Sequence, residues 1–307
     1  DSTKTPATLS YELSGKIIRE EFKYEGLIVT DAMEMGGITE SYWSSEAAIK
    51  TIEAGSDIIL LPIDNLSAIK GVIQSVRNGR ISEKRINNSV KRILKSKFDL
   101  ELWNNKEIDF KKSRDILGKP SHKRIAFQAA KKSITLINDK NNLIPIDISK
   151  TKSIGHLLLA TSEGMLKYSN TYRSKISRIH GNVNSDFYSK RLSKSEINKI
   201  IDDFEDSDLI IISLLIRVAQ DLGTYTIDSS HRELIKKLQK TNKPIIVTSF
   251  GSPYLDDVDS IETYVSAYYY GSISMNAMVD ALFGSEEING KLPVTLSKSL
   301  QQGKGLN

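Results

Sequence analysis

Cysteine is absent from the 307-residue chain, which excludes disulfide bonds and thiolate metal sites and leaves the compartment open. No apolar run is long enough to span a bilayer. No signal-peptide pattern follows Asp1. A basic stripe is missing too. The net charge is +5, but 43 Lys and Arg are interleaved with 38 Asp and Glu, so nucleic acid is not an expected partner. Gly223, Gly251 and Gly271 lack phosphate-loop spacing, which argues against nucleotide binding. No residues show metal-ligand spacing, so no metal or other cofactor is expected. There is no internal repeat and no low-complexity segment.

What is present is an ordinary globular composition, 39% hydrophobic and 26% charged, with apolar material for sizeable cores. The length fits two domains. Through residue 100 the order reads helix, strand, helix, strand, helix, helix. Ser10 caps a helix over 11–22, and Leu27-Ile28-Val29 is a short strand. A long loop with Gly36-Gly37 leads to a helix over 46–53 that Ala54-Gly55 closes. Ile58-Ile59-Leu60-Leu61-Pro62 is a second strand, and helices over 66–77 and from Ser82 follow. Both strands are apolar throughout, so each wants helices on both faces.

Residues 101–121 are polar and aperiodic and read as a linker. From His122 strands and helices alternate, which implies a mostly parallel sheet with helices on both sides. The expected strands are 133–137, 154–160, 209–216, 244–249, 263–267 and 292–296. Ser193 and Glu196 form a capping box, as do Ser230 and Glu233. The stretch between Ala160 and Ser193, rich in Ser and Tyr, reads as irregular. Tyr268-Tyr269-Tyr270 reads as a strand end packed into the core.

The focal stretch is Gly26-Leu27-Ile28-Val29-Thr30-Asp31-Ala32-Met33-Glu34-Met35-Gly36-Gly37. A carboxylate just past a buried parallel strand stands at the rim where α/β folds place their chemistry. An Asp there also serves simply to cap the next turn. The motif Thr30-Asp31-Ala32-Met33-Glu34-Met35-Gly36 resembles the nucleophile segment of glycoside hydrolase family 3, in its β-N-acetylhexosaminidase branch. Pro6-Ala7-Thr8-Leu9-Ser10 and Arg19 to Leu27 are similar to that family's approach to the strand. Gly290-Lys291-Leu292-Pro293-Val294-Thr295 is similar to its closing segment. The resemblance implies an α/β fold in which 1–100 is the C-terminal portion of a (β/α)8 TIM barrel, its last two βα units. An αβα sandwich domain over 122–307 follows. The rest of the barrel, an N-terminal segment of the catalytic domain, is then expected outside this chain as its partner.

The resemblance implies Asp31 as the catalytic nucleophile of a retaining glycosidase. It implies Met35 as a substrate-binding residue, whose plainer reading is a gap-filling Met. Terminal β-linked N-acetylglucosamine on muropeptide or chitin-type oligosaccharides is the implied substrate. The small Ala32, where the β-glucosidase branch usually has Trp, separates the two branches. The acid/base is expected upstream of Asp1. His122 and His231, in first helical turns, read as solvated. His156 reads as a core His, and His180 sits in irregular sequence. Glu163 reads as a turn residue and Glu196 as a capping partner. Asp64 reads as a helix cap or, less simply, a sugar contact. A family 3 β-glucosidase or other glycosidase of the family, and a non-catalytic carbohydrate-binding or assembly module, are the alternatives.

Overall fold

The computed structural model describes residues 5–104, 107–218 and 226–306. Residues 1–4 and Gly223, both drawn on above, lie outside that set. The chain divides into two compact units, 1–113 and 114–307. Both are mixed α/β.

The first unit is built on a two-stranded parallel sheet, β1 (Val29–Ala32) with β2 (Ile58–Leu60). Around it stand a widely wound helix, Glu12–Glu21, and helices α1 (Gly36–Thr39), α2 (Ser44–Ala54), α3 (Asn65–Arg77) and α4 (Glu83–Asp99). Helix α2 ends on Gly55 at φ +115°, a left-handed cap that glycine adopts without strain. The small core joins Leu9, Met33, Ile38 and Ala47. Strand β1 starts two residues later than its apolar run predicts, and it is not buried on both faces. Val29 is 45% exposed and alternates with buried Thr30. Leu60 of β2 is 42% exposed.

At the amino ends of the two strands lies a buried ion cluster that no local pattern announces. The Asp57 carboxylate has no exposed surface, and it accepts from Arg19 at 2.8 Å and from Arg92 at 2.9 Å. It also accepts from the Ser89 hydroxyl at 2.5 Å and the Ile28 amide at 3.1 Å. Arg85 stands 3.8 Å away and donates to the Ser56 carbonyl. One side chain thereby ties the Glu12–Glu21 helix, β1 and α4 to the start of β2.

The second unit is a six-stranded sheet in the order β3-β8-β7-β6-β4-β5. Its strands are β3 (Thr135–Asp139), β4 (Ile154–Ala160), β5 (Val183–Tyr188), β6 (Leu209–Ile216), β7 (Ile245–Gly251) and β8 (Thr263–Ser266). Only β3 is antiparallel, to β8. Side chains alternate between two apolar clusters, as the pleat requires. Ile154, Leu158 and Ala160 join Tyr172 and Ile176 of α7 (Leu166–Ile179) and Met275 and Met278 of α10 (Ser272–Leu282). Leu157 and Leu159 join Ile197 and Ile200 of α8 (Lys194–Asp203) and Leu234 and Leu238 of α9 (Ser229–Gln239). Each fully buried Leu or Ile contributes about 1.5–3 kcal/mol. Gly251 ends β7 at φ +99°, where a Cβ would lie 2.0 Å from the Ile216 carbonyl oxygen. The two remaining helices are α5 (Phe110–Ile116), inside the expected linker, and α6 (Pro120–Ser133).

Three expectations change in this unit. The region between Ala160 and Ser193 is not irregular but holds α7 and β5. The segment 292–296 is not a strand. It folds back in a loop, with the Leu292 amide donating to the Lys304 carbonyl and the Leu296 amide to the Leu300 carbonyl. Helix α9 is capped by Asp228, whose carboxylate accepts from the Ser230 amide at 2.8 Å, so the second capping box is displaced by an earlier acceptor. The box at Ser193 and Glu196 is formed.

The Asp57 cluster yields a stability prediction. Burial opposes the charge, but the Ser89 hydroxyl, the Ile28 amide and the Arg92 and Arg19 charges outweigh it and lower the carboxyl pKa. The contribution is therefore complete above the ordinary Asp value of about 4. It is lost as pH falls through the depressed folded value. Asp57→Ala, which leaves the arginines unpaired, should cost about 3–5 kcal/mol in the urea transition of the first unit at pH 7. A change under about 1 kcal/mol would contradict this role.

Candidate functional site

Asp31 lies inside β1, not just beyond it. The pairing of β1 with β2 is irregular between Val29 and Ala32. Thr30 fills that irregularity. Its buried hydroxyl accepts from the Leu60 amide at 2.9 Å and donates to the Asp31 carbonyl at 2.6 Å. A side chain here replaces a ladder hydrogen bond, and such bulges re-aim the residue beside them. The Met33 amide then rejoins the ladder at the Leu60 carbonyl, 2.9 Å away. Asp31 itself is exposed. The Ala32 amide donates to its Oδ1 at 2.8 Å, which fixes one carboxylate oxygen and leaves the other facing solvent. A solvent-facing carboxylate at the carboxyl end of a parallel strand can act as a nucleophile or a base.

Met35 is the residue before α1. Its carbonyl accepts from the Ile38 and Thr39 amides, and its side chain is exposed. Met33, two residues earlier, is buried instead.

Beside this loop is a hollow of about 280 Å³. Met33, Ile38 and Ile59 line it, with Tyr42, Trp43 and Asp64 among its other residues. Asp64 caps α3 by accepting from the Ser67 amide at 2.9 Å, while its own amide donates to the Ser44 hydroxyl at 3.2 Å. The cap thus links the loop after β2 to the start of α2. The sequence reading raised Asp64 but passed over Tyr42 and Trp43. Aromatic side chains just ahead of a helix, with no apolar period to join, were the available signal.

The other acidic and His candidates are held in structural roles. Glu196 closes its capping box, and Glu163 pairs with Lys190 at 2.9 Å on the surface. His231 is not solvated. It is buried, and its Nε2 meets the Lys190 carbonyl at 3.0 Å. His180 ends α7, buried, with its ring nitrogens 3.0 Å from the Asn182 carbonyl and 2.9 Å from the Thr151 carbonyl. His122 is exposed. His156 is a fully buried strand residue. Its ring meets the hydroxyls of Ser213 at 3.1 Å and Ser185 at 3.2 Å and stands edge-on to Tyr172. Among the described residues, no group of three or more acidic or His side chains could hold a metal, and no helix is long and apolar enough to cross a membrane.

Comparison with known proteins decides the family. Residues 1–96 match the glycosyl hydrolase family 3 N terminal domain, and residues 127–306 match the family 3 C-terminal domain. The chain belongs to glycosyl hydrolase family 3. Among curated members, a beta-xylosidase of Formosa agariphila is 24% identical across 98% of this chain and 47% of its own length. A beta-hexosaminidase A of Pseudoalteromonas piscicida is 30% identical across 48% of this chain and 25% of its own. Of solved structures, the beta-glucoside phosphorylase BglX superposes with a TM-score of 0.80 at 28% identity, covering 96% of this chain and 53% of that one. A family 3 beta-N-acetylglucosaminidase from Paenibacillus sp. strain FPU-7 gives 0.76 at 23% identity, over 96% of this chain and 56% of its own. The family 3 chain spans less than half the length of the curated relatives it matches across most of its residues.

The burial of His156 carries a prediction. Desolvation, then the nearby Arg173 charge, pushes its pKa down to about 3. The unfolded ring, with a value near 6.5, binds the proton first. The neutral His therefore supports the fold fully above pH ~6.5, and this support erodes as pH falls toward the folded value. Denaturant midpoints for the second unit should drop between pH 7 and pH 4, and should drop less in His156→Gln. Equal slopes in both proteins would contradict the assignment.

Proposed function

We propose that this family 3 chain carries the nucleophile of a retaining glycosidase that releases terminal β-linked N-acetylglucosamine from muropeptide or chitin-type oligosaccharides. The Asp31 carboxylate attacks the anomeric carbon as the leaving oxygen takes a proton, and a glycosyl-Asp31 ester forms. Water then cleaves that ester from the same face, so the β configuration is retained. The observation that carries this reading is Asp31 itself: an exposed carboxylate at the carboxyl end of a parallel strand, with one oxygen fixed by the Ala32 amide. Family membership supports it.

The first unit is, in this reading, the last two βα units of a (β/α)8 barrel, and the second unit an αβα sandwich. Support comes from the two-stranded parallel sheet, whose Val29 and Leu60 face outward, and from the fraction of its relatives that the chain spans. The remaining barrel supplies the acid/base and most of the sugar pocket, with Met35 as a lining residue on this side. Without it the chain is inactive.

N-acetylglucosamine is the preferred substrate because Ala32 follows the nucleophile. The partial match to a named hexosaminidase is in line with that. A β-glucosidase or β-xylosidase is the second reading, favoured by matches to such enzymes over nearly the whole chain. With the rest of the barrel restored, Asp31→Ala should cut hydrolysis of an aryl β-N-acetylglucosaminide by roughly three orders of magnitude or more. Undiminished turnover would refute the nucleophile. Parallel assays on aryl β-glucosides and β-xylosides separate the two readings.

A further inference from the structure

We propose that Thr30 is a positioning residue for the nucleophile. Its hydroxyl orients the Asp31–Ala32 peptide, and that peptide holds Oδ1 of the Asp31 carboxylate so that Oδ2 is the oxygen that attacks. This rests on the reading of Asp31 as the nucleophile and deepens it. Every hydrogen bond concerned lies within β1 or between β1 and β2, and none depends on how much surface is open around them.

The strand pattern shows why this position calls for a hydroxyl. The ladder pairs Val29 with Ile58 and Ala32 with Leu60. Three steps along β1, from 29 to 32, therefore answer two along β2, from 58 to 60. One extra residue on one strand is a bulge. Burial follows the same count. Ile28, Thr30 and Met33 are all buried, whereas strict alternation would bury Ala32 in place of Met33. The extra residue opens a gap in the ladder, and the Leu60 amide closes it by donating to the Thr30 hydroxyl at 2.9 Å.

A hydroxyl that accepts on one side still has a proton to donate on the other. Thr30 gives that proton to the Asp31 carbonyl at 2.6 Å, which sets the plane of the Asp31–Ala32 peptide. The peptide is trans, so its N–H points away from its C=O in the same plane. Fixing the carbonyl thereby fixes the Ala32 N–H, which donates to Asp31 Oδ1 at 2.8 Å. A relay runs from the Leu60 amide through the Thr30 hydroxyl and a rigid peptide to one carboxylate oxygen. As Oδ2 bonds to the anomeric carbon, the bond from that carbon to the leaving oxygen breaks. The electron pair departs with that oxygen, which takes the proton, and Oδ1 becomes the ester carbonyl oxygen, still held by Ala32. Valine at position 30 keeps the shape and the strand preference of threonine but removes the hydroxyl, while serine keeps it.

The test uses the complete enzyme, with the rest of the barrel restored, and the aryl β-glycoside that it cleaves fastest. Single-turnover aryl release at saturating enzyme reports the attack step alone, and a loss of folded protein does not move that rate. A reacting atom misplaced by about 1 Å costs about 10²-fold. A loss of that order is expected in Thr30→Val. Thr30→Ala, a second deletion of the hydroxyl, should match it, and Thr30→Ser should stay close to the parent. A saturating rate unchanged in both deletion variants, beside an inactive Asp31→Ala, overturns the role of Thr30 and keeps the nucleophile. A fall in Thr30→Ser as deep as in Thr30→Val also overturns it, because the hydroxyl is then not what positions Asp31. Turnover that survives Asp31→Ala overturns the nucleophile and the role of Thr30 with it.

Discussion

The buried Asp57 carboxylate is the interaction on which the first unit depends. It has no exposed surface, and it is met by Arg19, Arg92, Ser89 and the Ile28 amide. An unpaired charge so placed would cost several kcal/mol, so the elements that supply its partners must stay together. That requirement fixes the amino ends of β1 and β2 against each other. The carboxyl ends are fixed in consequence, and Thr30, hydrogen-bonded to Leu60, sets the last residues of β1. Asp31 faces out because Thr30 faces in. The placement of Asp31 at one end of the strands is set by electrostatics at the other.

Local signals in the sequence accounted for much of this. The apolar runs of β4 and β6 and the Gly55 cap announce themselves, as does the box at Ser193 and Glu196, because each is decided by neighbours within a few residues. Family 3 membership was legible from the Asp31 motif, and the family comparisons bear it out. The hexosaminidase reading rests on Ala32, a single small side chain.

What escaped the sequence was decided at long range. Asp57, Arg19 and Arg92 are far apart in the chain, and no spacing rule joins them. Strand β1 was read two residues early because Leu27-Ile28-Val29 is the apolar run, yet the ladder is completed by the Thr30 hydroxyl. Helix α7 was missed because its Ser, Thr and Tyr residues mask an apolar face of Tyr172 and Ile176, which is visible only against β4 and α10. His231 was read as solvated from its place in a first helical turn. The Lys190 carbonyl, brought from the end of β5, buries it.

The hollow near Trp43 belongs to the same logic. The loop after β2 is tied to the start of α2 beside it, through the Asp64 amide and the Ser44 hydroxyl. The central claim is that Asp31 forms the covalent bond to sugar. The most direct measurement is peptide mapping by mass spectrometry after the complete enzyme is treated with a slowly released, fluorinated N-acetylglucosaminide. The account predicts a gain of one glycosyl mass on the peptide containing Asp31. A label on any other carboxylate, or steady turnover of a natural substrate by an enzyme that never accumulates the adduct with this reagent, would contradict it.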